Sequence, residues 1–140
     1  MIILDTMVVS SLMRDPPDAA VVRWMDAQQG SLFWITSVTS FEISVGLRNM
    51  PEGRKRQQLE AAFDSMLRSD FSGRVLGFDL ASSQQAARFA SHRRQIGRPV
   101  GVQDSLIVGI AAVNGAAIAT RNTKDFDHAG VELINPWETR

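Results

Sequence analysis

G-V-Q-D-S-L-I-V-G-I-A-A-V-N-G-A-A-I-A-T-R-N-T-K-D-F, Gly101 to Phe126, holds the clearest sign of the chain's architecture. Asp104 opens a run that stays apolar with hardly a break to Ala119. Leu106, Ile107, Val108, Ile110, Ala111, Ala112 and Val113 fall on every side of a helical wheel, which predicts a helix buried nearly all round. Gly115 suits the left-handed position that ends a helix. Ala116 to Ala119 then predicts a short strand buried on both faces. Thr120, Arg121, Asn122 and Asp125 follow at the C-terminal edge of that strand, where open α/β sheets form their sites.

Working outward, Val131 to Ile134 predicts a last strand, and Asp79 predicts the cap of a helix from Leu80 to about Gln95 that follows a strand at Val75 to Phe78. Arg54 to Ser69 is amphipathic, with Leu59, Ala62, Phe63, Met66 and Leu67 on one face. The preceding helix carries Phe41, Glu42, Ile43, Val45 and Leu47 and is capped at Thr36-Ser37 or Thr39-Ser40. Leu32 to Ile35 predicts a strand, and Asp18 the cap of a helix through Gln28 that stops at Gly30. Ile2-Ile3-Leu4 predicts a first buried strand, ending in Asp5-Thr6, with a turn of helix over Met7 to Met13. Strand alternating with helix predicts an α/β fold with a parallel sheet, helices on both faces and right-handed crossovers.

The chain has 140 residues, a length that predicts one domain over 1–140. It contains no cysteine, which excludes disulfides and thiolate metal sites, so any metal would be held by oxygen: magnesium, manganese or calcium. Lysine plus arginine equals aspartate plus glutamate at 15 each, so net charge points to no nucleic-acid partner and only a local patch would serve one. The start M-I-I-L-D lacks the pattern of a signal peptide, and the run to Ala119 is too short to span a bilayer, which predicts a cytoplasmic protein without a membrane partner.

Asp5, Glu42, Asp104 and Asp125 stand where strand ends and helix starts converge. Gathered carboxylates repel one another, and a bound magnesium ion relieves that repulsion while activating water against a phosphodiester. Each also has a structural reading. Asp104 and Glu42 early in a helix favour its dipole by roughly 0.3–1 kcal/mol, and Asp125 caps a turn. Arg48, Arg93, Arg94, Arg98 and Arg121 are candidates for phosphate contacts, against the alternative of a solvated face paired with local acids. His92 and His128 share no metal-ligand spacing.

M-I-I-L-D-T-x-V-V-S, T-S-V-T-S-F-E-I-x-x-G-L, D-S-L-I-V-G-I-A-A-x-x-G-A-A-I-A-T-R-N-x-x-D-F and V-E-L-I-N-P-W, in that order, resemble a PIN domain. More narrowly they resemble the VapC/FitB-type toxins of bacterial toxin–antitoxin pairs, also met as plasmid-stability proteins. The resemblance covers essentially the whole chain without insertion. It implies a three-layer α/β fold, a central parallel sheet of about five short strands with helices on both faces, and a ribonuclease (an endoribonuclease) dependent on Mg2+, with Mn2+ as an alternative. Carried over by position, it implies Asp5, Glu42 and Asp104 as the metal-binding and catalytic carboxylates, with Thr6 and Thr120 as polar support. The fourth acidic place is divided between Asn122 and Asp125.

It also implies a homodimer, an RNA substrate, and a cognate antitoxin that covers the site, reaches DNA on the toxin's behalf and is clamped by the helices Thr39 to Met50 and Arg54 to Ser69. Met7 departs from the family, which usually has asparagine there. With Asn122, it leaves open a weakened PIN-like module that mainly binds RNA or antitoxin. Met7 also argues against a phosphatase of the haloacid-dehalogenase type, which needs a second aspartate at that place.

Overall fold

The computed structural model describes residues 1–28 and 32–138. Five strands, β1 (Ile2–Leu4), β2 (Phe33–Thr36), β3 (Val75–Leu76), β4 (Ala117–Ala119) and β5 (Leu133–Ile134), form one sheet in the order β3-β2-β1-β4-β5. Every neighbouring pair is parallel. Strand β1 lies at the centre, with Ile3 beside Trp34 on one flank and Ile118 on the other. Its residues alternate between two cores, as the pleat requires. Ile2 and Leu4 pack with Val8, Trp24, Ile43 and Phe63, whereas Ile3 packs with Phe89, Ile107, Ile110 and Ile118.

These two cores make three layers. Helices α1 (Thr6–Leu12), α2 (Ala19–Ala27), α3 (Ser37–Arg48) and α4 (Arg54–Ser65) cover one face, and α5 (Leu80–Gln95) and α6 (Val102–Asn114) cover the other. Local chemistry sets their ends. Asp5 caps α1 by accepting from the Val8 amide at 3.0 Å, and Asp79 caps α5 by accepting from the Ser82 amide at 2.8 Å. Of the two possible caps of α3, Thr36 takes the role, accepting from the Thr39 amide at 3.1 Å. Gly115 closes α6 at φ 60°, in the left-handed region.

Several boundaries differ from expectation. Helix α6 begins at Val102, so Asp104 lies within its first turn rather than opening it. It is not buried all round, because Val102 is 70% exposed and Val113 41%. The long amphipathic helix leaves α geometry after Ser65 and continues as a π-helical turn over Met66–Asp70. Strands β3 and β5 hold two residues each, since edge strands have one neighbour and pair over less length. The expected helix stop at Gly30 lies outside the described residues. Among the described residues no helix is long and apolar enough to cross a membrane.

The topology fixes where a site can form. Strand order reverses between β1 and β4, and the crevice beyond the carboxyl ends of two such strands is the switch point of an open sheet. Asp5 directly follows β1 and Thr120 directly follows β4. Helix α3 starts directly after β2 at this edge. Helix α6 leads tightly through Gly115 into the opposite end of β4, so its N-terminus and Asp104 return to the same edge.

Candidate active site

Asp5 is 6% exposed, and its carboxylate receives hydrogen bonds from the backbone amides of Val8 and Met7 and from the Thr120 hydroxyl. Burial nonetheless raises its pKa above the ordinary aspartate value, and Glu42 adds to the rise. Thr6, the next residue, donates its hydroxyl proton to Glu42 Oε1 at 2.8 Å. The Thr6 and Thr39 hydroxyl oxygens are 3.1 Å apart. Because Thr6 has spent its only proton on Glu42, Thr39 is the donor in that bond. A chain Thr39, Thr6, Glu42 thus ties α1 to α3 and orients the glutamate. Thr39 was not among the expected site residues, although it stands three residues before Glu42 on one helix face.

Asp104 carries the largest shift in the site. Its pKa is pushed up to about 6, first by burial and then by the charges of Asp125, Glu42 and Asp5. Those three causes place four carboxylates within one electrostatic neighbourhood. Among the described residues no lysine or arginine acts on Asp5 or Asp104 to offset it. Asp125 reaches the group from a 310 turn, Thr123–Phe126, anchored by the buried Phe126.

Asn122 goes elsewhere. Its backbone amide donates to the Thr120 hydroxyl at 3.1 Å, and its side-chain amide donates to Met7 Sδ at 3.2 Å. The two residues that depart from the family pattern are therefore in contact with each other. Sequence separation, 115 positions, hid this pairing.

The donor set suits a hard cation: four carboxylates, no imidazole, and uncompensated negative charge. Among the described residues no three acidic or imidazole side chains close around a single point as a complete cage. Magnesium does not need one, since it is usually held by one or two carboxylates and keeps several waters.

The arginines are dispersed. Arg93 is corrected: it is 3% exposed, and its guanidinium donates to the carbonyls of Arg98 at 2.7 Å, Lys124 at 3.2 Å and Asp127 at 3.1 Å. Buried, with its Nε and Nη1 donors spent on these three carbonyls, it acts as an internal tie between loops rather than as a surface phosphate contact. Arg94 is exposed on the last turn of α5, and Arg98 lies in the following loop, 4.0 Å from Asp127. Arg121 is exposed beside Thr120 with its guanidinium 4.4 Å from the centre of the Trp137 ring. Arg48 sits at the far end of α3, about 9 Å of helix rise beyond Glu42. There it lines a groove of about 510 Å3 between α3 and α4 together with Arg56 and Phe63.

The sequence matches the PIN domain family over residues 2–132. It is 37% identical over 138 residues to the VapC ribonuclease Y4jK of Sinorhizobium fredii, covering 99% of each chain. It is 30% identical over 137 residues to the toxin FitB of Neisseria gonorrhoeae, covering 98% of this chain and 99% of the relative. A chain in the structure of FitAB bound to an IR36 DNA fragment superposes with a TM-score of 0.89 at 29% identity, covering 100% of this chain and 98% of that one.

Proposed function

This chain belongs to the PIN domain family and, within it, to the VapC/FitB toxins, and from that premise we propose that it is a metal-dependent endoribonuclease acting as the toxin of a toxin–antitoxin pair. The observation that carries the reading is the gathering of Asp5, Glu42 and Asp125 around the half-buried Asp104, close enough that burial and their charges push its pKa up to about 6. An RNA phosphate, itself negative, is repelled by such a cluster, and a cation between them removes that repulsion. Of Asp5, Asp104 and Glu42, one or two would hold magnesium or manganese directly and the rest through its waters. The bound ion would supply charge against the phosphate and a more acidic water.

The chain's own residues do the positioning. Thr120 and the amides of Met7 and Val8 fix the Asp5 carboxylate, and Thr6 fixes that of Glu42. Asp125 contributes the fourth charge, the role for which Asn122, turned to Met7, is not available. That contact favours a second reading, a weakened module that binds RNA or antitoxin, because an amide bonded to a thioether orients no metal-bound water. The gathering of three carboxylates around Asp104 favours the nuclease.

The partners follow from the same family. A relative in complex, FitAB, is bound to DNA, and the reading here is a homodimer with a cognate antitoxin that mediates DNA contact. The antitoxin's segment would lie in the groove between α3 and α4, where Leu47, Phe63 and Leu67 offer apolar contact and Arg48 offers charge, Arg56 being held by Glu60 at 2.7 Å.

The test is cleavage of a mixed RNA pool with Mg2+, with Mn2+ and with chelator. Wild type is expected to cut only with metal. Asp5→Asn, which retains an oxygen to cap α1, and Asp5→Ala are each expected to lose activity by more than about 100-fold. Equal cleavage by wild type and both variants overturns the assignment.

A further inference from the structure

The 310 turn that carries Asp125 runs on into Asp127, His128 and Ala129. His128 has φ 67°, the one non-glycine residue in the left-handed region among those described. The backbone there turns its imidazole onto that of His92, with ring centres 5.5 Å apart and planes at 65°. Between this loop, α5 and α6 lies a cavity of about 280 Å3. Phe89, Val108 and Ala112 form its apolar floor, and Arg88, His92 and His128 stand among its polar lining.

The chemistry of the rim selects its ligand. Arg88 has only N–H donors, and each imidazole offers at least one. No carboxylate lines the cavity. The nearest in sequence, Asp127, is 4.0 Å from Arg98, and Arg88 has no carboxylate partner among the described residues. A metal ion is disfavoured, because two imidazoles supply two ligands, no third acidic or imidazole group completes them among the described residues, and Arg88 repels a cation. A donor-rich rim over an apolar floor instead suits a phosphate joined to a flat apolar body, which is a nucleotide.

Position connects the cavity to the acidic cluster. His128 follows Asp125 by three residues, at most about 11 Å of chain. Val108 lies one turn along α6 from Asp104. We propose that this cavity is a subsite for the RNA strand, in which Arg88, His92 and His128 hold a phosphodiester next to the cleaved one while a base or sugar rests on Phe89 and Val108. The proposal rests on the ribonuclease reading above and adds where the strand runs.

The probe is a 5′-fluorescein-labelled single-stranded oligoribonucleotide of mixed sequence, followed by fluorescence anisotropy in chelator over a range of salt. Arg88→Gln and the double variant His92→Ala/His128→Gly, which keeps a residue tolerant of positive φ, are compared with wild type after matched thermal unfolding. Each is expected to bind roughly tenfold more weakly, the effect of losing a hydrogen bond to a charged group. Arg88→Gln should also reduce the slope of log affinity against log salt by about 0.7, one phosphate contact on a single strand. If wild type cuts the RNA with metal but both variants match its affinity and slope, the subsite is overturned and the ribonuclease reading stands. If wild type neither binds nor cuts, both fall.

Discussion

Asp104 shows at the residue scale what the site asks of the protein. Its pKa rises from 3.8 to about 6 on folding, so the folded chain favours its protonated form. The associated stability is fully present below about pH 4 and is lost as pH rises through about 6. In chelator at pH 7.5, Asp104→Asn is therefore expected to melt at a higher temperature than wild type, and the gap should close towards pH 4. Adding Mg2+ should raise the wild-type melting temperature more than that of the variant, because a ligand stabilises only the form that binds it. A gap independent of pH in thermal scans would show that the charge cluster is not under strain. From sequence, Asp5 and Asp104 were legible as carboxylates at element ends, whereas Glu42, expected in a first turn, lies in the second turn of α3 because Thr36 caps that helix. Arg93 was not legible, since an arginine in a run of basic residues reads as surface until its three carbonyl acceptors are seen.

At the scale of elements, the hairpin of α5 and α6 is the support for Asp104. The helices meet at Gly109, where an added Cβ would lie 2.2 Å from the Ser82 carbonyl oxygen and 2.8 Å from Ala86 Cβ. A backbone carbonyl cannot yield as a side-chain tip can, so α6 itself would have to move. Gly109→Ala gains about 1 kcal/mol in helix propensity, yet the expected net effect is a loss of about 1–3 kcal/mol from overpacking, read as a lower urea midpoint. Metal-dependent cleavage should fall further than stability, on the order of 100-fold, because a shift of about 1 Å at Asp104 misplaces a ligand. The apolar run made this helix plain from sequence. Its exposed side at Val102 and Val113 was not plain, because periodicity shows that a helix exists without showing how many neighbours it has.

At the scale of the whole molecule, Arg93 joins parts that are distant in sequence: α5, the loop at Arg98, and the turn that bears Asp125 on one side and His128 on the other. Arg93→Ala leaves three carbonyls without their donor and is expected to cost about 1–3 kcal/mol in urea unfolding. Arg93→Lys should not restore the loss, because a single ammonium cannot reproduce the spread of a guanidinium fork. Full recovery by lysine would mean that charge alone, not geometry, holds the turn. Local sequence carries the alternation of strand and helix, the central buried strand, the caps at Asp18, Asp79 and Gly115, and the carboxylates Asp5 after β1 and Asp104 in the first turn of α6. These depend on local periodicity, backbone conformation and short-range hydrogen bonds, all written within a few residues. Only the tertiary structure decided that Asp125 rather than Asn122 acts on Asp104, that Met7 and Asn122 meet, that Thr39 orients Glu42 through Thr6, and that His92 and His128 share a cavity. Those facts depend on which side chains a parallel sheet with crossover connections brings to one edge, and residues up to 115 positions apart carry no local sign of meeting there.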